Sequence, residues 1–413
     1  MKIGINMYHL VPENGGVVQY VLTLLQHWPR LCPGDPLVLF CFPRNTALLE
    51  AVPAVFERRM LQDQDEIARS LAGIDVFFCP FTALYPRPLP LPSVVTIVDL
   101  QERFFPEFFS PEDMRNRFHH YDWSVALADH IVTISDFSRE SIVRILGAER
   151  RRVTRIHLCP AELPETAAPP AAWKHEGEHP FLLYPANFWR HKNHRKLFAA
   201  LAQLRAEGMR IPLVCTGALL GKEAEWLAEL AQLGIQDQVE HMGLISRAEL
   251  AWLYRRTRGL CFPSLFEGFG IPVVEAMRSG TPVACSRTTS LPEIGGTAAL
   301  YFNPRDTGSI AQALGRFWTD AELRETLVRR GRQQCRQFTA ERLVRAHREC
   351  FTRALRTYSE ARHRRNLAWV ANPDPPRENL SVHERLTADE LLRTHPVSGF
   401  KRLRRRLAHL LCP

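Results

Sequence analysis

The run from Gly259 to Glu275 constrains this chain most. Gly259-Leu260-Cys261-Phe262 is a short apolar run of the kind that fills a buried strand, and Pro263-Ser264 ends it. Glu267-Gly268-Phe269-Gly270-Ile271-Pro272-Val273-Val274-Glu275 follows, with two carboxylates eight positions apart and a Gly-x-Gly turn and a proline between them. Pro272 suits the first turn of a helix, where a missing N–H costs nothing. The order is therefore strand, loop with Glu267, glycine turn, helix with Glu275.

That order has a chemical use. A helix N-terminus presents unpaired N–H groups and partial positive charge, so it can hold a phosphate. Gly268 and Gly270 let a ligand approach the backbone closely. Glu275, expected in the first helical turn, can accept two hydrogen bonds from a vicinal diol such as a ribose. Glu267, across the turn, can hold hydroxyls of a second ring. Together these parts describe a nucleotide-sugar site. A plainer account stays open: acids are favourable near a helix start for dipole reasons alone, and Glu267 fits a solvated loop acid.

The stretch Glu267-Gly268-Phe269-Gly270-Ile271-Pro272, continued by Glu275-Ala276-Met277, Gly280 and Pro282-Val283, resembles the signature of the retaining glycosyltransferases of family four, the group-one glycosyltransferases. Ser290-Leu291-Pro292-Glu293-Ile294-Gly295-Gly296 is similar to the same family, and the likeness runs from about Lys2 to about Arg356. It implies an α/β chain of GT-B fold: two Rossmann-like domains with parallel sheets facing across a cleft. It also implies an acceptor-side domain over 1–165, a linker over 166–180 and a nucleotide-sugar domain over 181–338. A crossover helix over 339–361 would pack on the first domain, leaving a basic extension over 362–413.

The bulk properties agree with such a chain. Its 413 residues suffice for two or three domains, and 46% hydrophobic with 23% charged residues is an ordinary globular balance. No apolar run approaches the roughly 18 residues of a membrane span. Met1 to Met7 reads as a first strand rather than a signal peptide. Ten cysteines are scattered without a Cys-x-x-Cys pair, which argues against zinc or a disulfide framework and suits a reducing cytoplasm. A net charge of +9 suits an anionic partner without choosing among nucleotide, lipid and nucleic acid. Because the basic charge concentrates in the tail, nucleic acid is not expected.

In chain order, Ile3–Met7 is an expected strand, Pro12-Glu13-Asn14-Gly15-Gly16 a glycine loop and Val17–Leu31 a helix. The loop lacks G-x-G-x-x-G spacing, so a dinucleotide site is not supported. The resemblance puts Gly15 and Gly16 near the donor phosphate and the acceptor; a tight turn needing glycine accounts for them equally. Short strands are expected at Leu37–Phe42, Asp75–Phe78, Val94–Ile97 and Ile131–Ile134, and Ser135 is a helix-capping candidate. Asp99 sits at the carboxyl end of the third of these, where open α/β sheets place ligands. The family commonly has histidine just before this aspartate, where this chain has Val98. Asp99 either caps the next segment or faces the cleft.

After Pro160–Pro180, a second strand, Phe181–Tyr184, leads into Pro185-Ala186-Asn187-Phe188-Trp189-Arg190-His191-Lys192-Asn193 and a helix to about Leu204. Lys192, between a strand's end and a helix start, can neutralise a diphosphate. The family has an arginine where this chain has Asn187, and Arg190 is the candidate substitute. Gly243 and Leu244, after a strand at Val239, lie against the nucleotide base by the same resemblance. Further strands are expected at Leu213–Gly217, Pro282–Cys285 and Ala299–Phe302, and helices at Ser246–Tyr254, Thr307–Trp318 and Thr339–Tyr358.

The expected activity is transfer of a hexosyl group from a nucleotide-diphospho-sugar, GDP-mannose or similar, to a saccharide or lipid-linked acceptor, with retention. The setting would be cell-surface polysaccharide or lipopolysaccharide synthesis in the cytoplasm. The catalytic candidates are Glu267, Lys192 and Asp99. Donor-binding candidates are Gly15, Gly16, Asn187, Arg190, Lys192, Gly243, Leu244, Glu267, Gly268, Phe269, Gly270, Ile271 and Glu275. No Asp-x-Asp is placed to hold a divalent metal, so neither metal nor cofactor is expected. The segment 399–413 carries five basic residues, no acids and leucines at near-helical spacing. It is a candidate for peripheral contact with the inner face of the cytoplasmic membrane, the alternatives being a solvated tail or a docked helix. Two other readings stay open: a non-catalytic nucleotide-sugar-binding protein, which Val98 and Asn187 favour, and a nucleotide-sugar epimerase.

Overall fold

A computed structural model describes residues 1–12, 15–175, 180–371 and 380–394. They form two compact units, the first comprising Met1–Ala161 with Phe338–Leu391 and the second built on Glu162–Gln337. Segment 399–413 lies outside the described residues.

Unit 1 carries β1 (Ile3–Asn6), β2 (Leu37–Cys41), β3 (Glu57–Met60), β4 (Val76–Cys79), β5 (Ser93–Thr96), β6 (His130–Thr133) and β7 (Val153–Arg155). All pair in parallel, in the order β3-β2-β1-β4-β5-β6-β7. Between the strands lie α1 (Gly15–Leu31), α2 (Thr46–Leu49), α3 (Gln101–Phe104), α4 (Pro111–Leu127) and α5 (Asp136–Ile145). The five inner strands bury every residue, as a sheet covered on both faces requires, and the edge strand β7, Val153-Thr154-Arg155, buries only its valine. At the opposite edge, β3 exposes Glu57, Arg58 and Met60. Ser110 and Ser135 cap α4 and α5, each accepting from the backbone N–H three residues on.

Unit 2 repeats the plan with β8 (Leu182–Pro185), β9 (Leu213–Thr216), β10 (Val239–His241), β11 (Gly259–Phe262), β12 (Val283–Ser286) and β13 (Ala299–Phe302). The order is β10-β9-β8-β11-β12-β13, again all parallel. Its helices are α6 (His194–Ala206), α7 (Glu223–Leu233), α8 (Arg247–Arg256), α9 (Ile271–Arg278), α10 (Leu291–Gly295), α11 (Thr307–Thr319) and α12 (Ala321–Gln334). Residues 164–173, from the end of the expected first domain into the expected linker, lie along α8 and belong to unit 2. Arg255 donates to the carbonyls of Glu165 and Pro164 at 2.7 and 2.8 Å, and the Trp173 ring meets Trp252 at 4.9 Å.

The chain then returns to unit 1 through α13 (Ala340–Thr357), α14 (Glu360–Ala371) and α15 (Val382–Thr394). Thr339 caps α13, which buries Leu343, Val344, His347, Cys350, Phe351 and Ala354. His347 Nε2 lies 2.5 Å from the Tyr20 hydroxyl, and Phe351 meets Phe78 at 5.1 Å. The extension expected from 362 onward begins inside α14, and as far as Leu391 it belongs to unit 1. Leu380, Glu384, Ala388 and Leu391 are buried at helical spacing. The wholly buried Arg103 explains the attachment: it donates to Glu384 at 2.9 Å and to Glu102 and Asp122 at 3.2 Å, above the Phe118 ring.

Candidate functional site

In unit 2 the strand order reverses between β8 and β11, which are hydrogen-bonded neighbours. Ligands of open α/β sheets bind beyond the carboxyl ends of the strands at such a reversal. The two loops that leave those ends are 186–193 and 263–270. They carry Lys192 and Glu267.

The loops are tied together side chain by side chain. Lys192 closes a single helical turn, Arg190–Lys192, and its Nζ lies 2.6 Å from Glu267 Oε1. Both side chains keep some solvent access, at 17% and 13%. Lys192 Nζ also stands 5.4 Å from the centre of the Phe262 ring. The Leu265 N–H donates to the His191 carbonyl at 2.7 Å. Asn193 follows in the left-handed region, with φ 64° and ψ 34°. From there its side-chain amide donates to Pro263 at 3.0 Å and Pro304 at 2.8 Å, so one residue fastens the loops after β8, β11 and β13. The Tyr184 hydroxyl donates to the Lys192 carbonyl. Burial, and then the Lys192 charge, push His191 and His194 down to about 3, so both imidazoles are neutral at physiological pH.

The Glu267 loop is held from the other side by the start of α10. Ser290 donates to the carbonyls of Glu267 at 2.9 Å and Phe269 at 2.7 Å. The Thr289 hydroxyl accepts from the Glu267 N–H at 3.1 Å, with Thr289 itself at φ 50°. Gly270 has φ 118°, and a Cβ there would stand 2.8 Å from Leu291 Cδ2. The lost side chain thus serves the turn and the Leu291 contact. Gly268 and Gly270 are both buried, and Phe269 is a core side chain, which leaves the backbone as the part of Phe269 able to meet a ligand.

Glu275 differs from expectation in place and partners. α9 starts at Ile271, so Glu275 falls in the second turn rather than the first. It is buried, with Arg247 Nη1 donating to Oε1 at 3.2 Å and the Tyr254 hydroxyl to Oε2 at 3.3 Å. Burial pushes its carboxyl up from the ordinary range, and Arg247 and Tyr254 oppose this. An ionised carboxylate has about four lone-pair directions, so two remain for ligand hydroxyls.

The other candidates divide. Asn187 is exposed and its Oδ1 accepts from the Ala218 N–H at 2.9 Å, a brace between the loops after β8 and β9. Arg190 is exposed in the same turn as Lys192. The Gly243 carbonyl accepts from the Gly217 N–H at 2.8 Å, and Leu244 is 79% exposed. Gly15, Gly16 and Asp99 belong to unit 1. Gly15 opens α1 at φ 26°, and both glycines are exposed; Glu13 and Asn14, in the same loop, lie outside the described residues. Asp99 Oδ1 accepts from the Gln101 N–H at 3.2 Å, in the turn that leads into the short α3. Among the described residues, no group of three His, Cys, Asp or Glu side chains could hold a metal ion. No described helix is long and apolar enough to cross a membrane.

Sequence reading missed Asn193, Thr289, Arg247 and Tyr254. Asn193 alone carried a signal, an asparagine at a loop-to-helix step where left-handed backbone is common. Ser290 stood in a recognised motif but without a role.

The pattern of Glycosyl transferases group 1 matches residues 168–334, which include both loops. The O-antigen chain mannosyltransferase B of Escherichia coli is 32% identical over 278 residues, covering 64% of this chain and 70% of that protein. The chain belongs to the group 1 glycosyl transferases. A second relative, the O-antigen chain mannosyltransferase RfbU of Salmonella typhimurium, is 28% identical over 55% of this chain and 61% of its own length. The fold is similar to that of a sucrose-phosphate synthase from Thermosynechococcus elongatus, with TM-score 0.69 and 19% identity over 87% of this chain and all of the other. For a group 1 glycosyl transferase with two such parallel-sheet units, the fold is GT-B.

Proposed function

We propose that this glycosyltransferase moves a hexosyl group, mannosyl in the first instance, from a nucleotide-diphospho-sugar to a saccharide or lipid-linked acceptor in cell-surface polysaccharide synthesis. The observation that carries the reading is the Lys192–Glu267 contact at 2.6 Å, placed at the sheet reversal of unit 2. An arriving diphosphate would take Lys192 from Glu267, and the released carboxylate would accept hydroxyls of the sugar. Glu275 would take the ribose diol, and the loop at Gly243 and Leu244 the base. Mannose is favoured because two relatives are O-antigen mannosyltransferases.

As the sugar–phosphate bond breaks, negative charge grows on the leaving diphosphate. Lys192, the α9 start beyond Gly270 and Arg190 would stabilise that charge, with no reorganisation needed at the moment of reaction. Retention, as in family four, would follow from a front-face, oxocarbenium-like displacement in which the leaving phosphate takes the acceptor proton. Unit 1 would offer the acceptor, with Asp99 contributing at the turn before α3. Residues 399–413 are proposed as a peripheral contact with an anionic membrane.

The test is product analysis with GDP-mannose and an oligosaccharide acceptor. An α-linked mannosyl product from the α-linked donor supports the reading. Epimerised donor with no transfer, or donor binding with neither transfer nor hydrolysis, refutes it.

A further inference from the structure

A second charged concavity lies in unit 2, at the opposite ends of the strands from the donor loops. It is a cavity of about 600 Å³ between one face of α12 and the residues that lead into β11 and β12. Arg324, Arg329 and Arg332 line it from α12, Arg258 from just before β11, and Pro282 from just before β12. Glu325 is an acid on the same wall. A four-residue strand is about 13 Å long, so this groove and the Lys192 loop are separate places.

None of the four arginines forms an ion pair with a described residue. Neutral groups hold them instead. Arg324 donates to the carbonyls of Phe317 and Trp318, both at 2.7 Å, and Arg258 lies over the Trp318 ring at 4.7 Å. Arg329 donates to the Thr326 hydroxyl at 3.1 Å. Arg332 rests against the bare backbone of Gly280, 3.3 Å from where a Cβ would be. Burial, and then the Arg258 charge, hold the Arg324 guanidinium below its ordinary value. Each guanidinium has five N–H donors, more than the bonds above use. Like charges fixed side by side are unfavourable. Asp320 and Glu325 offset part of this, which leaves four guanidinium groups against few acids, and an anion that enters relieves the remaining repulsion.

We propose that this groove is a binding site for a phosphate ester, with the guanidinium groups on the phosphate and Glu325 accepting from a hydroxyl of the same ligand. Guanidinium forks match phosphate oxygens in pairs. The cavity falls in the ordinary range for small-molecule sites, about 300–1,000 Å³. A soluble phosphorylated metabolite and a phospholipid headgroup share this chemistry.

Glycerol 1-phosphate, and vesicles of phosphatidylcholine with and without phosphatidylglycerol, serve as probes on the full chain. Arg329→Gln/Arg332→Gln changes two exposed positions, and circular dichroism checks that the fold is kept. Lys192→Gln controls for phosphate binding at the donor loops. The expected result is binding of one probe, at least tenfold weaker in the double arginine variant and unchanged in the Lys192 variant. Binding of the soluble probe alone identifies a metabolite site; binding only of phosphatidylglycerol vesicles, weakened in the double arginine variant beyond a control that removes two arginines from 399–413, identifies a lipid site. No binding by the wild type, equal affinity in the arginine variant, or loss in the Lys192 variant overturns the proposal.

Discussion

Asn193 offers the sharpest test of how the site is built. Its amide holds two buried proline carbonyls, and its backbone sits at φ 64°. Replacing it by alanine removes two hydrogen bonds, about 1 kcal/mol each, and leaves acceptors whose desolvation is no longer repaid. Alanine in the left-handed region adds roughly 1 kcal/mol. The expected loss for Asn193→Ala is therefore about 3–5 kcal/mol, and about 1 kcal/mol less for Asn193→Gly, which keeps the backbone at ease. Urea unfolding followed by tryptophan fluorescence measures both. Trp226 reports locally, since its ring meets Phe188 at 5.2 Å and His194 at 6.0 Å. Both variants within about 0.5 kcal/mol of wild type, or glycine worse than alanine, would refute the reasoning.

Three further outcomes are expected. Glu384→Ala strips one of three carboxylates from the buried Arg103 and should cost about 2–3 kcal/mol by chemical denaturation, with Glu384→Gln recovering part. Arg247→Ala should raise the donor KM most at low pH, because without Arg247 burial pushes the Glu275 carboxyl higher still and it protonates sooner; a pH-independent KM ratio would rule this out. Gly217→Ala should cost more than about 2 kcal/mol in thermal or urea unfolding, since its Cβ would stand 2.7–2.8 Å from the backbone of Ala186 and Asn187 at φ 118°.

The alternation of apolar runs and capped helices made both parallel sheets legible, because buried strands are apolar on both faces. β3 was not, since Glu57-Arg58-Arg59-Met60 looks like loop until an edge position explains its charge. α12 was missed for a similar reason: its arginines mask the few positions that pack. The last helices read as tail because their anchor, Arg103 with Glu384, joins residues 281 positions apart. In the site, single-residue chemistry was readable and pairing was not. Lys192 and Glu267 were each singled out, but their contact spans 75 positions and needs two loops to meet. Glu275 was read as an open acid in a first turn. Its burial and its Arg247 and Tyr254 partners belong to a neighbouring helix, α8. Asp99 has two readings, and its bond from the Gln101 N–H, made at the start of α3, is compatible with both.

The central claim is that Lys192 and Glu267 grip the donor. Calorimetric titration of GDP-mannose into wild type, Lys192→Gln and Glu267→Gln tests it most directly. The account predicts that each substitution weakens binding at least tenfold, about 1.4 kcal/mol or more, with the unfolding midpoint little changed. Wild-type affinity in both variants would contradict it.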